Sequence, residues 1–301
     1  MVKIVYGFFY LISLLPMWIL YGIGDLFYLI VLLSGYRKEV VYKNLKNAFP
    51  EKNDTEIKKI SRKFYRNFVH TFFETIKFAS ISQKKLAKMG SSDFSNLLEI
   101  KKKHPRITWL TGHFMNWEFY SLYPAQFMPC AFLGVYMGIN NKVIDQVFYK
   151  IRTRFGTILL RAGHISKELL PWRDKEYVMG LIADQNPGNP GRSIWMNFFG
   201  RPTPFIRGPE ATARMGKTPV FFSWLVRKGL GKYEFNVELI CEDPTLVATN
   251  EIQKMYVRKL EEKIRQQPEN YLWTHKRWKF NWKPEYANMW VDEAPMPGNG
   301  H

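Results

Sequence analysis

The chain begins with an apolar segment unlike anything that follows it. From Ile4 to Gly24 there is no charged residue, and the apolar run continues beyond Asp25. A helix of this length can cross about 30 Å of hydrocarbon. Pro16, the sequence Gly22-Ile23-Gly24 and Asp25 interrupt the run, which also fits a bent helix pair lying in the membrane surface. We therefore expect residues 1–35 to form a membrane anchor, as a span or as an in-plane pair.

The next segments have the spacing of amphipathic helices. Val40, Val41, Leu45 and Ala48 recur at helical intervals. Asn53 and the two residues after it can cap a second, longer helix that starts near residue 56. Its apolar stripe predicts a face turned to the core, with a membrane-facing stripe as the alternative. The stripe consists of Phe64, Phe68, Phe72 and Ile76.

From residue 106 onward, strand-like and helix-like patterns alternate. Such alternation predicts an α/β fold with a mainly parallel or mixed sheet covered by helices. The strand candidates are "RITWLT" (106–111), "YVMGLIA" (177–183), "TPVFFSWLV" (218–226) and "YEFNVELI" (233–240). The helix candidates lie around 140–153, 166–172, 207–215 and 249–267. With no internal repeat or linker, we expect one catalytic body over residues 36–284 and a loose tail over residues 285–301.

The charge and the aromatic content of the chain indicate which classes of molecule it binds. The 301 residues carry 44 Lys and Arg against 26 Asp and Glu, a formal net charge of +18, and 16% are aromatic. This surplus favours an acidic partner: nucleic acid, an anionic membrane or an acidic carrier protein. The aromatic content and the apolar start favour the membrane, and no RNA-binding signature is present. The two cysteines, Cys130 and Cys241, predict neither a disulfide framework nor a zinc cluster.

One short stretch, "TGHFMNWEF" (111–119), has the residue types of acid–base chemistry. His113 follows a buried strand candidate, and Gly112 before it permits a tight turn. If a helix opens near Asn116, its positive end favours the neutral, basic form of His113. Glu118 can then meet His113 only if the histidine lies outside that helix, because positions five apart diverge on a helix. From residue types alone, the histidine and glutamate are either a catalytic pair or structural, and no third metal ligand lies at a usual spacing.

The segment "GHFMNWE" resembles the HxxxxE/D signature of membrane acyltransferases that modify glycerolipids and lipid A. Its Asn-Trp-Glu ending is similar to the late acyltransferases of lipid A biosynthesis and their lysophospholipid acyltransferase relatives. Four further segments resemble this family in the same order along the chain. They are Arg152-Thr153-Arg154, "LIADQNPG" (181–188), "FFGRPTPFIRGPEATARMGKTPV" (198–220) and "PENYLWTHKRWK" (268–279).

The resemblance implies a glycerolipid-acyltransferase-like mixed sheet flanked by helices, and it implies roles for individual residues. His113 would deprotonate an acceptor hydroxyl that attacks a fatty-acyl thioester, and Glu118 would orient His113. Arg152 and Arg154 would engage a phosphate or the oxyanion. Further candidates for substrate binding are Asn116, Asp184 and Arg207, although Asp184 can equally anchor its loop. For Arg201, Arg207, His275, Lys276 and Arg277, the alternatives are solvated charge and phosphate recognition.

The resemblance also implies a reaction and its setting. The chain would transfer a fatty acyl group to a hydroxyl of a phosphorylated lipid A precursor, on the cytoplasmic side of a bacterial inner membrane. The donor would be an acyl thioester of acyl carrier protein or coenzyme A, without a metal or bound cofactor. Two alternatives stay open: the same chemistry on a lysophospholipid or aminolipid, and a basic membrane-surface protein without catalysis. One or two aromatic residues near His113 would line an acyl groove, from the set Trp109, Phe114, Met115, Trp117 and Phe119.

Overall fold

A seven-stranded sheet with helices packed against it forms the body of the protein in a computed structural model that describes residues 1–293. The helices of this part of the chain are α1 (Val2–Ser13), α2 (Met17–Ser34), α3 (Lys38–Ala48), α4 (Asp54–Lys77), α5 (Gln83–Ala87), α6 (Ser95–Lys103), α7 (Lys142–Arg152), α8 (Ile165–Glu168), α9 (Gly208–Gly216) and α10 (Glu251–Gln266). The strands are β1 (Gly90–Ser92), β2 (Arg106–Thr111), β3 (Ala131–Tyr136), β4 (Ile158–Arg161), β5 (Tyr177–Ile182), β6 (Ile194–Phe198), β7 (Arg201–Phe205), β8 (Val220–Gly229) and β9 (Lys232–Cys241).

The strand order is β1-β9-β8-β2-β5-β3-β4, and the predicted mixed α/β sheet is confirmed. Strands β8, β2, β5, β3 and β4 run parallel, whereas β9 is antiparallel to β8, and β1 pairs in parallel with β9. Strands β6 and β7 form a separate hairpin. Strands β2 and β5 are paired in parallel up to their last residues, Thr111 and Ile182. The segments that follow them therefore leave the sheet side by side, at the carboxyl ends of the strands.

The four predicted strands are present as β2, β5, β8 and β9. In β2, Ile107, Trp109 and Leu110 are almost fully buried, as expected for a central parallel strand covered on both faces. Sequence patterns missed β3 and β4, because a four-residue edge strand and a strand interrupted by Gly134 give too little periodicity.

The apolar N-terminal segment is broken once. Helix α1 ends at Ser13 and α2 begins at Met17, with Pro16 at the break, where its missing N–H costs no helical hydrogen bond. The expected second interruption is absent, because α2 continues through Gly22 and Gly24. A Cβ atom at Gly24 would lie 3.1 Å from the ring of His70, so glycine here allows α2 to pack closely on α4.

Helix α2 packs one face on α4 and exposes apolar side chains on the other. Asp25, its only charged residue, contacts both Arg66 (2.7 Å) and His70 (2.9 Å) of α4. By length and composition, α2 is apolar enough to cross a membrane, with a mean hydropathy of 1.8. Large apolar side chains of α1 and α2 are exposed, among them Ile4, Phe8, Leu11, Trp18, Leu26, Leu29, Ile30 and Leu33.

Helix α4 begins as the sequence indicates. The side chain of Asn53 accepts hydrogen bonds from the backbone of Thr55 and Glu56, and Glu56 bonds back to the Asn53 backbone, forming a capping box. Its stripe divides between the two predicted environments: Phe64 and Phe68 are buried in the core, whereas Phe72 is 41% exposed.

The start of the predicted tail packs against the body. Pro284–Met289 forms a 3₁₀ helix, and the ring of Tyr286 stacks on Trp195 at 5.0 Å. The rest of the predicted tail, from residue 294, lies outside the described residues. The division into an anchor, a catalytic body and a tail stays a prediction.

Candidate active site

His113 lies on the turn that follows β2, at the carboxyl ends of the parallel strands. The predicted α-helix after it is absent: the chain forms only a 3₁₀ turn at Phe119–Ser121 and another at Pro124–Gln126. The Asn116 side chain accepts the Glu118 backbone N–H, and Pro124 has no N–H to extend a helix. A helix dipole at His113 therefore plays no part in its chemistry. The Met115–Asn116 peptide bond within the turn is cis.

Gly112 is required at this turn by space. Its φ is not in the left-handed region, so the permissive backbone expected from the sequence is not what the turn uses. A Cβ atom at this position would overlap Cδ1 of Leu260 and lie 3.3 Å from Asp184 Oδ2. The absence of a side chain thus lets α10 and Asp184 approach the turn.

The carboxylate that contacts His113 is Asp184, two residues beyond the end of β5. His113 Nδ1 lies 2.6 Å from Asp184 Oδ1, and the His113 backbone N–H donates to Asp184 Oδ2 at 2.8 Å. The His113 side chain is 13% exposed, whereas that of Asp184 is 1% exposed. One carboxylate therefore holds both the ring and the backbone of the histidine.

Asp184 is ionised in this setting. Burial alone would raise the pKa of Asp184, but the charge of His113 and hydrogen bonds from His113 and Tyr271 lower that pKa to about 2. An ionised carboxylate only accepts hydrogen bonds, so Nδ1 of His113 carries the proton between the two side chains. In the neutral imidazole, the lone pair is then on Nε2.

Gln185 faces that lone pair. Its Nε2 lies 3.1 Å from His113 Nε2, and an amide N–H is the donor that an unprotonated ring nitrogen accepts. Gln185 was not singled out from the sequence, although it follows Asp184 within the segment that resembles the family. The ring nitrogen that could accept a proton is thus occupied by a side chain that a substrate hydroxyl can replace.

Glu118 has a different partner from the one expected. Its carboxylate forms a bidentate ion pair with Nε and Nη2 of Arg152, both at 2.6 Å, and also accepts from Trp117 Nε1. Within residues 1–293 it makes no hydrogen bond to His113. The expectation that Glu118 orients the imidazole directly is therefore corrected: the adjacent arginine occupies both oxygens, and Asp184 takes the histidine.

Asn116, predicted to bind substrate, is fully buried, and its side chain makes hydrogen bonds within the protein. Its amide group donates to Glu74 Oε2 at 3.0 Å. Glu74 is itself fully buried and also accepts hydrogen bonds from Tyr21 of α2, Arg227 of β8 and Tyr233 of β9. This carboxylate connects the N-terminal apolar helix to the turn that carries His113. The sequence signal that could have found it is that Glu74 is the only acidic residue of α4 after its first turn.

The other two predicted arginines bind backbone carbonyls. Arg154 donates to the Phe78 carbonyl, and its guanidinium lies 5.0 Å from the Phe155 ring. Arg207 donates twice to the Ser193 carbonyl while its side chain lies at the surface. In this structure both arginines tie loops to the body.

In the closing basic segment (268–279), His275 and Arg277 lie close enough to Asp184 to interact with its charge. Arg277 is 1% exposed, donates to Asn186 and Pro204, and stacks on Phe205 at 4.2 Å, so it is not a solvated charge. Burial, together with the charge of Arg277, lowers the pKa of His275 to about 4. His275 therefore stays neutral and accepts the Asn186 backbone N–H at 3.3 Å.

Of the five aromatic and apolar residues proposed near the base, only Trp117 is partly exposed. Its ring lies 6.1 Å from the His113 ring in an edge-on arrangement. The other four, Trp109, Phe114, Met115 and Phe119, are buried core residues. Trp117 is thus the one member of the set placed to contact a ligand at His113.

The assembled site is a histidine with one nitrogen held by a buried carboxylate and the other directed toward a replaceable donor. Such an arrangement can remove a proton from a hydroxyl and return it to a leaving group.

No curated protein matches the chain. The family model for the bacterial lipid A biosynthesis acyltransferases matches residues 1–280, which is nearly all of the chain and includes every site residue described above. The chain therefore belongs to the bacterial lipid A biosynthesis acyltransferase family and is an acyltransferase.

Proposed function

We propose that this acyltransferase moves a fatty acyl group from an acyl thioester to a hydroxyl of a lipid A precursor, with His113 as the general base. The observation that carries the proposal is the pair formed by His113 and Asp184. The acidic partner fixes the tautomer in which Nε2 is unprotonated and stabilises the imidazolium that forms during the reaction.

In the proposed reaction, Nε2 of His113 takes the proton of the acceptor hydroxyl. The hydroxyl oxygen then attacks the thioester carbonyl and forms a tetrahedral oxyanion. When the carbon–sulfur bond breaks, the thiolate leaves and receives the proton from Nε2. Glu118 acts by holding the side chains of Arg152 and Trp117 in place, and the Trp117 ring lies next to that of His113. Arg152 Nη1 makes no hydrogen bond to the described residues, which leaves it able to contact a phosphate or the oxyanion.

We place this reaction at the cytoplasmic face of the bacterial inner membrane. The family is membrane-associated, and the exposed apolar side chains of α1 and α2 supply a surface for insertion. Lys38, Lys43 and Lys46 follow α2 closely and support a cytoplasmic body by the positive-inside rule. The net charge of +18 suits an acidic acyl carrier protein as the donor's carrier, with coenzyme A as the second possibility.

The test is acyl transfer by the purified full-length chain in detergent, with acyl carrier protein and coenzyme A thioesters supplied separately. We expect a lipid A precursor to gain the mass of one acyl group. His113→Ala should lower the rate by about 10²-fold or more, the scale of a general base. His104→Ala, which removes a partly exposed histidine before β2, should have little effect. Turnover of His113→Ala at the wild-type rate would exclude the proposed base.

The choice of acceptor is tested in cells. We expect the lipid A mass profile to lose one acylated species when the gene is deleted. An unchanged lipid A profile with altered phospholipids or aminolipids would instead favour a lysophospholipid or aminolipid acceptor. Failure to consume any thioester would favour the non-catalytic membrane-surface protein.

A further inference from the structure

A pocket of about 310 Å³ lies where the apolar helix α2 meets the basic segments that follow it. The last turn of α2 contributes Leu32, and three cations line the rest together with Ser61 and Tyr65. The cations are Lys38 at the start of α3, and Lys58 and Arg62 on one face of α4. The pocket is remote in sequence from the turn that carries His113.

None of these three cations forms an ion pair within residues 1–293. The two acids nearest to Lys58 in sequence form their ion pairs with other lysines: Glu56 with Lys52 at 3.8 Å, and Asp54 with Lys46 at 2.9 Å. Lys58 and Arg62 are four residues apart on a helix, a spacing at which like charges repel. The pocket therefore concentrates three positive charges that have no direct ion-pair partner among the described residues.

A second basic cleft on the same helix shows the contrast. It has a similar volume of about 290 Å³ and is also lined by four cations. Each of those cations has an acidic partner. The pairs are Lys63 with Glu269, Arg66 with Asp25, Arg227 with Glu74, and Lys228 with Glu234. Of these two pockets, the one at the end of α2 lacks such neutralisation, so an anion gains more there than in the second cleft.

The position of the pocket indicates the source of that anion. Leu29, Ile30 and Leu33 are 50%, 52% and 86% exposed on the last turns of α2. If these side chains enter hydrocarbon, Lys38, four residues after the end of α2, lies at the depth of lipid headgroups, and so do Lys58 and Arg62, which line the same pocket. Leu32 in the wall of the pocket provides an apolar contact that free phosphate cannot use.

We propose that this pocket binds the phosphate of an anionic phospholipid of the bilayer. Lys38, Lys58 and Arg62 would bind the phosphate oxygens, and the Ser61 hydroxyl would donate a further hydrogen bond. The proposal depends on the membrane location inferred above and is independent of acyl transfer.

The test measures binding of a soluble short-chain phosphatidylglycerol to the detergent-solubilised full-length chain by calorimetry. The variant carries Lys38→Gln, Lys58→Gln and Arg62→Gln together. We expect its affinity to fall by about 10²-fold, since each cation near an anionic lipid contributes about fivefold. The matched control is Lys103→Gln, Arg173→Gln and Lys175→Gln, which removes the same charge near the amino ends of β2 and β5. None of these three residues lines the pocket, so the control should bind almost as wild type does.

Folding is checked in the same samples. Without lipid, the triple variant should unfold at or above the wild-type temperature, because it loses like-charge repulsion. Added phosphatidylglycerol should raise the unfolding temperature of wild type and leave that of the variant unchanged. Equal affinity of wild type and variant would overturn the site. Binding of inorganic phosphate as tight as that of the lipid would overturn the lipid assignment.

A last arm separates the bilayer lipid from the acceptor's own phosphate. In detergent without phospholipid, the triple variant should keep the wild-type KM for the acceptor. A raised KM with unchanged kcat would show that the pocket binds the acceptor, and the proposal would be wrong. If the wild-type protein showed no acyl transfer at all, this would count against the proposed function but would not affect the result on phosphatidylglycerol binding.

Discussion

Two carboxylate pairs lie at the turn that carries His113: Asp184 with His113, and Glu118 with Arg152. They differ in which of their polar atoms remain free to contact another molecule. Asp184 occupies only one nitrogen of His113, and the other faces Gln185 near the surface. Glu118, in contrast, uses both carboxylate oxygens on Arg152 at 2.6 Å. The first pair can change its protonation state during a reaction, whereas in the second both carboxylate oxygens are already bound to one guanidinium. We infer that the two carboxylates have separate tasks: Asp184 sets the base, and Glu118 sets the shape around it.

Replacing the acid of the first pair should have the largest effect. In Asp184→Asn, the amide can donate a proton to His113 Nδ1, which favours the tautomer with the proton on Nε2. That nitrogen can then no longer accept the substrate proton, and we expect kcat to fall by about 10³-fold. The measurement is steady-state acyl transfer at saturating acceptor. A loss of less than about tenfold would show that Asp184 only anchors its loop.

The same residue makes a prediction about stability and pH. The folded pKa of Asp184 is about 2, below its value in the unfolded chain, so its stabilisation is fully present above about pH 4. It is lost as the pH falls through 2, and amounts to about 2 kcal/mol. The free energy of unfolding in detergent should therefore fall between pH 4 and pH 2 by this amount more in wild type than in Asp184→Asn. Parallel curves for the two proteins would contradict it.

Breaking the second pair should act mainly on stability. Glu118→Gln leaves the guanidinium of Arg152, whose side chain is only 16% exposed, without its counter-charge, and we expect a loss of about 3 kcal/mol in the free energy of unfolding. Because Glu118 does not bind His113, the rate per folded molecule should fall about tenfold or less, well below the loss in Asp184→Asn. Denaturant titration and assays on the folded fraction measure the two effects separately.

Two controls sharpen that comparison. Glu99→Gln removes an ion pair with Lys102 in which both side chains are about 70% exposed, and it should cost less than about 1 kcal/mol. Adding Arg152→Gln to Glu118→Gln removes the unpaired buried charge and should restore part of the lost stability. If Glu118→Gln instead matched Asp184→Asn in its loss of kcat, Glu118 would have the orienting role that the sequence alone suggested.

The sequence could predict where His113 lies but not which carboxylate contacts it. Five positions separate His113 from Glu118, and local spacing made that glutamate the nearest candidate. The contact with Asp184 spans 71 residues and exists because β2 and β5 are adjacent and parallel. Strand order is set by the packing of the whole sheet, which periodicity along the chain does not encode.

The same limit applies to the turn and to its support. The pattern after Asn116 is compatible with a helix, but the Asn116 side chain bonds to Glu118 and Glu74, and Pro124 follows soon afterwards. Glu74 brings together α2, α4, β8 and β9, elements that are far apart in the sequence. By contrast, the break at Pro16, the Asn53 cap and the four main strands depend on local chemistry, and these were predicted.

The smallest effect that we predict comes from Gln185 and has the opposite sign. Its amide donates to His113 Nε2, the nitrogen that accepts the substrate proton in the proposed reaction, so an acceptor hydroxyl would have to displace it. Gln185→Met keeps the side-chain length but removes this donor, whose net contribution is about 1 kcal/mol. We expect the KM for the acceptor to fall by about fivefold with kcat unchanged. Gln266→Met, at an exposed position on α10, should alter neither constant. A fall in kcat with Gln185→Met would mean that this amide contacts the reacting groups, and the pair with His113 would then be part of the catalytic machinery rather than its resting cover.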